Sequence, residues 1–290
     1  MAKKIGTIDF DGRTIRVLIC KGTEVVHWAS TSVSGDLMNQ GLIGKPEGMA
    51  EQIAGLLGSD GVPRRSFVTS LTAHRATSKV LTLPKVKPRF LEEAIRRKAK
   101  QEMPLPMQET YLSWQVISSQ DGQLQVYAFA VPRNIIDRQV ETLKAAKLKP
   151  RAMDLKSLAL ARAVNDPNCI VVNLEDQGLG VVLVANGTPE IIRSMPQTAE
   201  DASPKERVEK LSQELNRTIQ FYEEAHRGSP LPPETKIYAT GLLLESEEIR
   251  QLLAKRTPYP VELPNPPMTL PADFPVAAFS ANLGLAMKEL

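Results

Sequence analysis

One order of elements occurs twice in this chain, and that duplication constrains the fold more than any single motif. Residues 4–31 read as three strands: Ile15, Val17 and Ile19 alternate with Arg16 and Leu18, and Lys21-Gly22-Thr23 supplies the turn into EVVHWAS. Met49, Ile53, Leu56 and Leu57 then share one face of a helix, and SFVTSLT, at 66–72, is a fourth strand. Residues 169–195, CIVVNLEDQGLGVVLVANGTPEIIRSM, repeat the apolar strand, polar loop and second apolar strand, with Asn186-Gly187 marking a tight turn into a third. A long helix follows, carrying Val208, Leu211, Leu215, Ile219 and Tyr222 on one stripe, and KIYAT, at 236–240, returns to strand. Asp9 of the first copy falls at Asn173 of the second. Two such copies predict two facing halves with a cleft between them, into which both first-hairpin loops point.

The residues between the copies have a different pattern. Phe90, Leu91, Ala94, Ile95 and Lys98 start a helix that stops at Met103-Pro104. YLSWQVI and QLQVYAFAV are strands joined across Asp121-Gly122, a hairpin signal. Pro132 is placed to open a helix on which Ile135, Ile136, Val140 and Leu143 share a face. This α-β-β-α stretch predicts a small inserted domain at 79–148. The first lobe is then 1–78, completed by about 149–167, and the second is 168–290, with its long helix at about 204–226. Prolines cluster at 230–233, a helix-to-strand loop, and at 258–275, a connection with little periodicity.

Composition excludes several functions. The chain has 290 residues and a net charge of only +3, so no concentrated basic face for nucleic acid is indicated, and aromatics at 5% do not suggest base stacking. Cys20 and Cys169 sit in apolar runs and read as buried hydrophobes, while His27, His74 and His226 lack metal-ligand spacing. No apolar run approaches the length of a membrane span, and none follows MAKK. The expectation is a cytoplasmic protein that meets the membrane only through a partner.

The order and spacing resemble the actin-like ATPases, and within them the type IV pilus assembly proteins of the PilM family, with FtsA more distant. The stretches that carry the resemblance are IDFDGRTIR, LPKVKPRFLEEAIRRKAKQEMPLPMQETYLSWQVI, VPRNIIDRQVETLKAAKLKPRAMDLKSLALARA, LSQELNRTIQFYEEAH and ANLGLAMKEL, covering essentially the whole chain. The implied fold is α/β: a duplicated actin-like (ribonuclease H-like) two-lobed body with an inserted small α+β domain. FtsA-like proteins carry a linker and an amphipathic tail after the body, whereas this sequence ends at Leu290 after the closing helix, which suits the pilus family.

The resemblance implies a nucleotide position built from Asp9, Asp11, Gly12, Arg13 and Thr14 in the first loop, Asn173, Glu175 and Gly178 in the second, and Gly241 after KIYAT. The family pattern puts glycine where Asp11 and Glu175 stand, because backbone N–H groups must approach phosphate without a Cβ in the way. An aspartate that would orient a metal-bound water is Asn173, and Leu242, Leu243 and Leu244 would crowd a purine or fill its space. The expectation is therefore no catalytic residue, no metal and no cofactor, with ATP and magnesium recruited by the acidic loops as the alternative. Read without the resemblance, Asp9, Asp11, Glu175 and Asp176 make a solvated acidic cleft or locally capped loops.

What the resemblance implies for function is a scaffold. Such a protein docks on the cytoplasmic N-terminal tail of a PilN-like inner-membrane protein and meets other platform and motor proteins, with a homo-oligomer possible and nucleic acid excluded. The tail groove is expected along residues 72–83 and the helix from Phe90, with Arg75, Arg96 and Arg97 as partners for an acidic residue; a solvated helix face with Glu92, Glu93 and Lys98 is the plainer reading. Other readings are an active actin-like ATPase or filament former, a sugar or metabolite kinase of the same fold, and a platform protein of type II secretion.

Overall fold

The computed structural model describes residues 3–39, 41–58, 64, 66–72, 76–103, 106–197, 202–226 and 230–289. In chain order, the first elements are β1 (Lys4–Asp11), β2 (Thr14–Lys21), β3 (Glu24–Ser32), β4 (Met38–Asn39), β5 (Leu42–Ile43), α1 (Pro46–Leu57) and β6 (Phe67–Leu71). There follow β7 (Thr77–Pro84), α2 (Pro88–Glu102), β8 (Thr110–Gln120), β9 (Gln123–Pro132), α3 (Arg133–Ala145), β10 (Pro150–Leu155) and α4 (Lys156–Val164). The chain continues through β11 (Cys169–Glu175), β12 (Gly178–Ala185), β13 (Thr188–Pro196), α5 (Pro204–Ala225), β14 (Lys236–Thr240), α6 (Glu247–Ala254), β15 (Val261–Glu262) and α7 (Val276–Met287). These form two compact units, one of residues Ala73–Glu141 and one of everything else.

The larger unit is built on two five-stranded sheets of identical order, β10-β6-β1-β2-β3 and β13-β12-β11-β14-β15. Each opens with an antiparallel pair and adds a parallel strand beside its first, β6 on β1 and β14 on β11. The repeat legible as strand-strand-strand-helix-strand thus extends by one strand in each half. Those fifth strands lack alternation: β15 is two residues inside the proline-rich connection, ordered because Val261 and Glu262 pair with Ile237 and Tyr238.

Both sheets are covered on both faces, which is why β1, β2 and β11 are buried almost throughout. On the outer face of the first sheet, Ile8, Phe10, Ile15 and Val17 meet Met49, Ile53 and Leu57 of α1. In the second half, Ile170, Val172 and Leu174 meet Val208, Leu211 and Leu215 of α5. The inner faces share two helices. Leu18, Cys20 and Val25 pack on Ala278, Phe279 and Leu283 of α7, while Val171, Val182 and Tyr238 pack on Leu160 and Val164 of α4. The last helix of the chain therefore closes on its first hairpin. Helix α7 is buried on every side from Ala277 to Ala286; it is mostly apolar, and its two polar side chains donate hydrogen bonds, Ser280 Oγ to the Val276 carbonyl and Asn282 Nδ2 to Thr7 Oγ1 and the Arg16 carbonyl. It also runs against α4 so closely that a Cβ added to Gly284 would lie 1.8 Å from the Ala159 carbonyl oxygen.

The smaller unit is an antiparallel sheet of order β7-β9-β8 with α2 on one face, where Leu81, Leu83, Leu124, Val126 and Ala128 meet Ile95 and Ala99. The hairpin turns through Asp121 (φ 50) and Gly122 (φ 74), the left-handed pair that the sequence signal demands. Two expectations need correction. The module contains a third strand, β7, whose inward residues Leu81 and Leu83 alternate too briefly among polar neighbours to stand out. It also begins and ends earlier than 79–148: α3 crosses the boundary, and Leu143, Ala146 and Leu148 enter the core of the first half.

Candidate functional site

The two first hairpins face each other. Register pairs Asp9 with Arg16 and Asp11 with Thr14 across β1 and β2, and Asn173 with Gly180 and Glu175 with Gly178 across β11 and β12. Asp9 and Asn173 are therefore structural equivalents, as are Asp11 and Glu175. Because side chains alternate along a strand, Ile8 and Phe10 point to the outer core while Asp9, Asp11 and Arg16 share the inner face. On β11, Leu174 goes to the outer core and Glu175 to the inner side. Ser70 Oγ donates to Asp9 Oδ1 at 2.6 Å, and its counterpart Thr240 Oγ1 donates to Asn173 Oδ1 at 3.2 Å.

Asp9, Asp11 and Glu175 are neither solvated nor locally capped, contrary to the expectation from sequence. Asp9, Asp11 and Glu175 are buried around two equally buried cations, Arg16 and Lys156. Arg16 donates from Nη1 to Asp9 Oδ2 at 3.3 Å and from Nη2 to Glu175 Oε2 at 2.7 Å, joining the first half to the second. Lys156 Nζ donates to Asp9 Oδ2 at 3.1 Å, to Glu175 Oε1 at 3.4 Å and to Asp11 Oδ2. Burial alone would raise the pKa of Asp9, but Lys156, Arg16 and the Ser70 hydroxyl outweigh it and hold the carboxyl below its ordinary range. Asp11 behaves oppositely. Burial, opposed by Lys156 and reinforced by Glu175 and Asp9, pushes it up to about 6. Arg16 and Lys156 are buried too, yet the surrounding carboxylates keep both charged, with pKa values above their usual ones.

The remaining predicted positions fall around this cluster. Gly12 (φ 56) sits where the turns meet: a Cβ there would lie 3.0 Å from Gln177 Cβ. One on Gly178 would lie 3.9 Å from Asp11 Oδ1. Thr14 is buried beside them, whereas Arg13 is exposed, so the positive charge at the turn comes from Arg16 and Lys156 instead. Asp176 is exposed, and its carbonyl accepts a hydrogen bond from Arg207. Gly241 (φ 95) presses on β11, where a Cβ would stand 2.5 Å from the Leu174 carbonyl oxygen. Leu244 fills the second core, while Leu242 stays exposed. Sequence reasoning missed Arg16 and Lys156. For Arg16 a signal existed, since a two-residue turn after Asp11 places it opposite Asp9. Lys156 had none beyond its oddity, a lysine at the start of a helix, where the macrodipole disfavours a cation.

The smaller unit has a groove of its own. Leu83, Pro84, Val86, Phe90 and Ala94 line an open groove of about 510 Å³, together with the charged residues Glu93, Arg97 and Lys98. Phe90 is 46% exposed, with the Arg89 guanidinium 4.6 Å from its ring centre. Arg96 and Arg97 pair along α2 with Glu92 and Glu93, at 3.0 Å and 3.1 Å. Arg75 lies outside the described residues.

Comparison with known proteins agrees with this architecture. Residues 8–192 match the family described as "Type IV pilus assembly protein PilM". Among solved structures, the "PilM-PilN type IV pilus biogenesis complex" superposes with a TM-score of 0.81 at 20% identity, covering 99% of both chains. The ethanolamine utilization protein EutJ from Carboxydothermus hydrogenoformans gives a TM-score of 0.58 at 12% identity, covering 99% of this chain and 90% of that one. The cytoplasmic domain of EpsL, an inner membrane component of the type II secretion system of Vibrio cholerae, gives 0.55 at 14%, covering 99% and 94%. No curated protein matches by sequence. The duplicated sheets and inserted unit are the actin-like fold, and the chain belongs to the PilM family of type IV pilus assembly proteins.

Proposed function

We propose that this chain is an adaptor of type IV pilus assembly that hydrolyses no ATP and works by docking on the cytoplasmic N-terminal tail of a PilN-like inner-membrane protein. The observation that carries the reading is the buried cluster of Asp9, Asp11, Glu175, Arg16 and Lys156. A triphosphate brings several negative charges and needs backbone N–H groups or free cations to meet them. At the two turns this chain presents carboxylates, its cations are already engaged, and the turns touch through Gly12 and Gln177. These residues do not fit a nucleotide with magnesium, which keeps several waters and needs open carboxylate positions. Work on the pilus would then come from a separate motor ATPase, with this protein linking that motor to the membrane platform.

The partner is argued from the smaller unit and from the relative whose solved complex contains PilN. An apolar groove whose lining also carries Glu93, Arg97 and Lys98 suits an extended peptide with alternate apolar side chains. With such a partner the proposed location is the cytoplasm, at the inner face of the cell membrane; none of the described helices is long and apolar enough to cross a membrane.

The test is a titration of a fluorescent peptide, the cytoplasmic N-terminal tail of the PilN-like inner-membrane protein, against the purified chain. We expect equal affinity with and without ATP and magnesium, and a loss of roughly tenfold on Phe90→Asp, the scale of an exposed aromatic anchor. Micromolar ATP binding by the unmodified chain would end the nucleotide-free reading, and no binding of the tail would end the docking reading.

A further inference from the structure

We infer that Lys156 is a tethered counter-cation whose ammonium holds a three-carboxylate position shared by the two halves and keeps a divalent metal ion out of it. The inference deepens the nucleotide-free reading above and rests on it. An ammonium has three N–H donors and no acceptor. Here three carboxylates receive it, Asp9 and Asp11 from the first half and Glu175 from the second. The outer oxygens of two of them are held elsewhere, Asp9 Oδ1 by Ser70 and Glu175 Oε2 by Arg16, so the cage is oriented by its surroundings.

A second, independent observation concerns the helix. Lys156 is the first residue of α4, where the macrodipole presents partial positive charge, and it is buried away from water. Local propensity and solvation both oppose a lysine there, and the carboxylates supply what overcomes them. The charge balance points the same way. Three carboxylates against two cations leave one excess negative charge, and removing Lys156 would leave two. Carboxylate oxygens at that density are what hard divalent cations take. Among the described residues no group of three acidic, histidine or cysteine side chains is set to hold a metal as the protein stands.

The test is thermal unfolding of three full-length chains, the unmodified protein, Lys156→Met, and Lys156→Met with Asp11→Asn, each in EDTA and in millimolar Mn2+. The double variant restores the original charge balance of the cage. We expect the unmodified chain to be indifferent to Mn2+. Lys156→Met should melt lower in EDTA and rise by about 5 °C or more in Mn2+, reversibly, as mass action at a new site predicts. The double variant should fold and lose most of that response. If Lys156→Met folds only in Mn2+, the inference stands. Equal Mn2+ shifts in all three chains, no shift in Lys156→Met, or failure of both variants to fold in either condition would overturn it. ATP binding by the unmodified protein would strike the proposed function separately and would be read in a different assay.

Discussion

Replacing Asp11 by asparagine tests the electrostatics of the cleft most directly. In the folded chain burial and the neighbouring Glu175 and Asp9 push the Asp11 carboxyl up to about 6, against 3.8 for the ordinary group. Between those two values the folded state binds the proton more tightly than the unfolded one, so Asp11 makes the protein more stable as pH falls through about 6, and that gain is complete near the ordinary value. A displacement of about two pH units, at ~1.4 kcal/mol each, is on the order of 3 kcal/mol. Asparagine resembles the protonated carboxyl in shape and carries no proton to titrate. Urea unfolding of both chains across the range from about pH 7 to about pH 4 reads Asp11 together with its coupling to Asp9 and Glu175, because every other carboxylate is common to both. The stability of Asp11→Asn relative to the original should be greatest at neutral pH and decline by roughly 3 kcal/mol toward the acid end. A difference that stays flat with pH, or that grows as the solution is acidified, would refute the reasoning, because it would mean that Lys156 cancels the cost of burying the third carboxylate.

Two further outcomes follow from the packing of the body. Arg16→Met removes the guanidinium that neutralises Asp9 and Glu175 together and should cost about 3–5 kcal/mol in urea unfolding, part of it recovered by adding Glu175→Gln. Gly284→Ala places a methyl group 1.8 Å from the Ala159 oxygen, so α4 and α7 must part, and calorimetry should show a loss of at least ~3 kcal/mol; an unchanged melting temperature would contradict the close helix contact.

The repeat was legible because it depends on local patterns. Ile15, Val17 and Ile19 announce a strand, Met49, Ile53 and Leu57 a helix face, and Asp121-Gly122 and Asn186-Gly187 the turns, each within a few residues of itself. Strand β7 and the pair β10 and β15 were less visible, since their order comes from neighbouring strands and not from their own alternation. The site divided in the same way. Asp9, Asp11 and Glu175 stood out as acidic residues at hairpin turns, but their state did not. A carboxylate in water and one buried against an ammonium have the same letter, and Lys156 is 145 residues from Asp11. Of the four acidic residues expected to line a solvated cleft, Asp9, Asp11 and Glu175 are buried together, and Asp176 is exposed.

Taken alone, the amino-acid order determined that two related halves exist, that a small module interrupts them, and that acidic residues stand at the first-hairpin turn of each half. The tertiary structure decided where the compensating charges come from. Helix α7 folds back between the sheets, α4 delivers Lys156 to the turns, and Arg16 reaches across to Glu175, all contacts between residues far apart in the chain. Local sequence encodes hydrophobic period and turn propensity, whereas the energy of a buried charge depends on which distant groups surround it, and only packing brings those together.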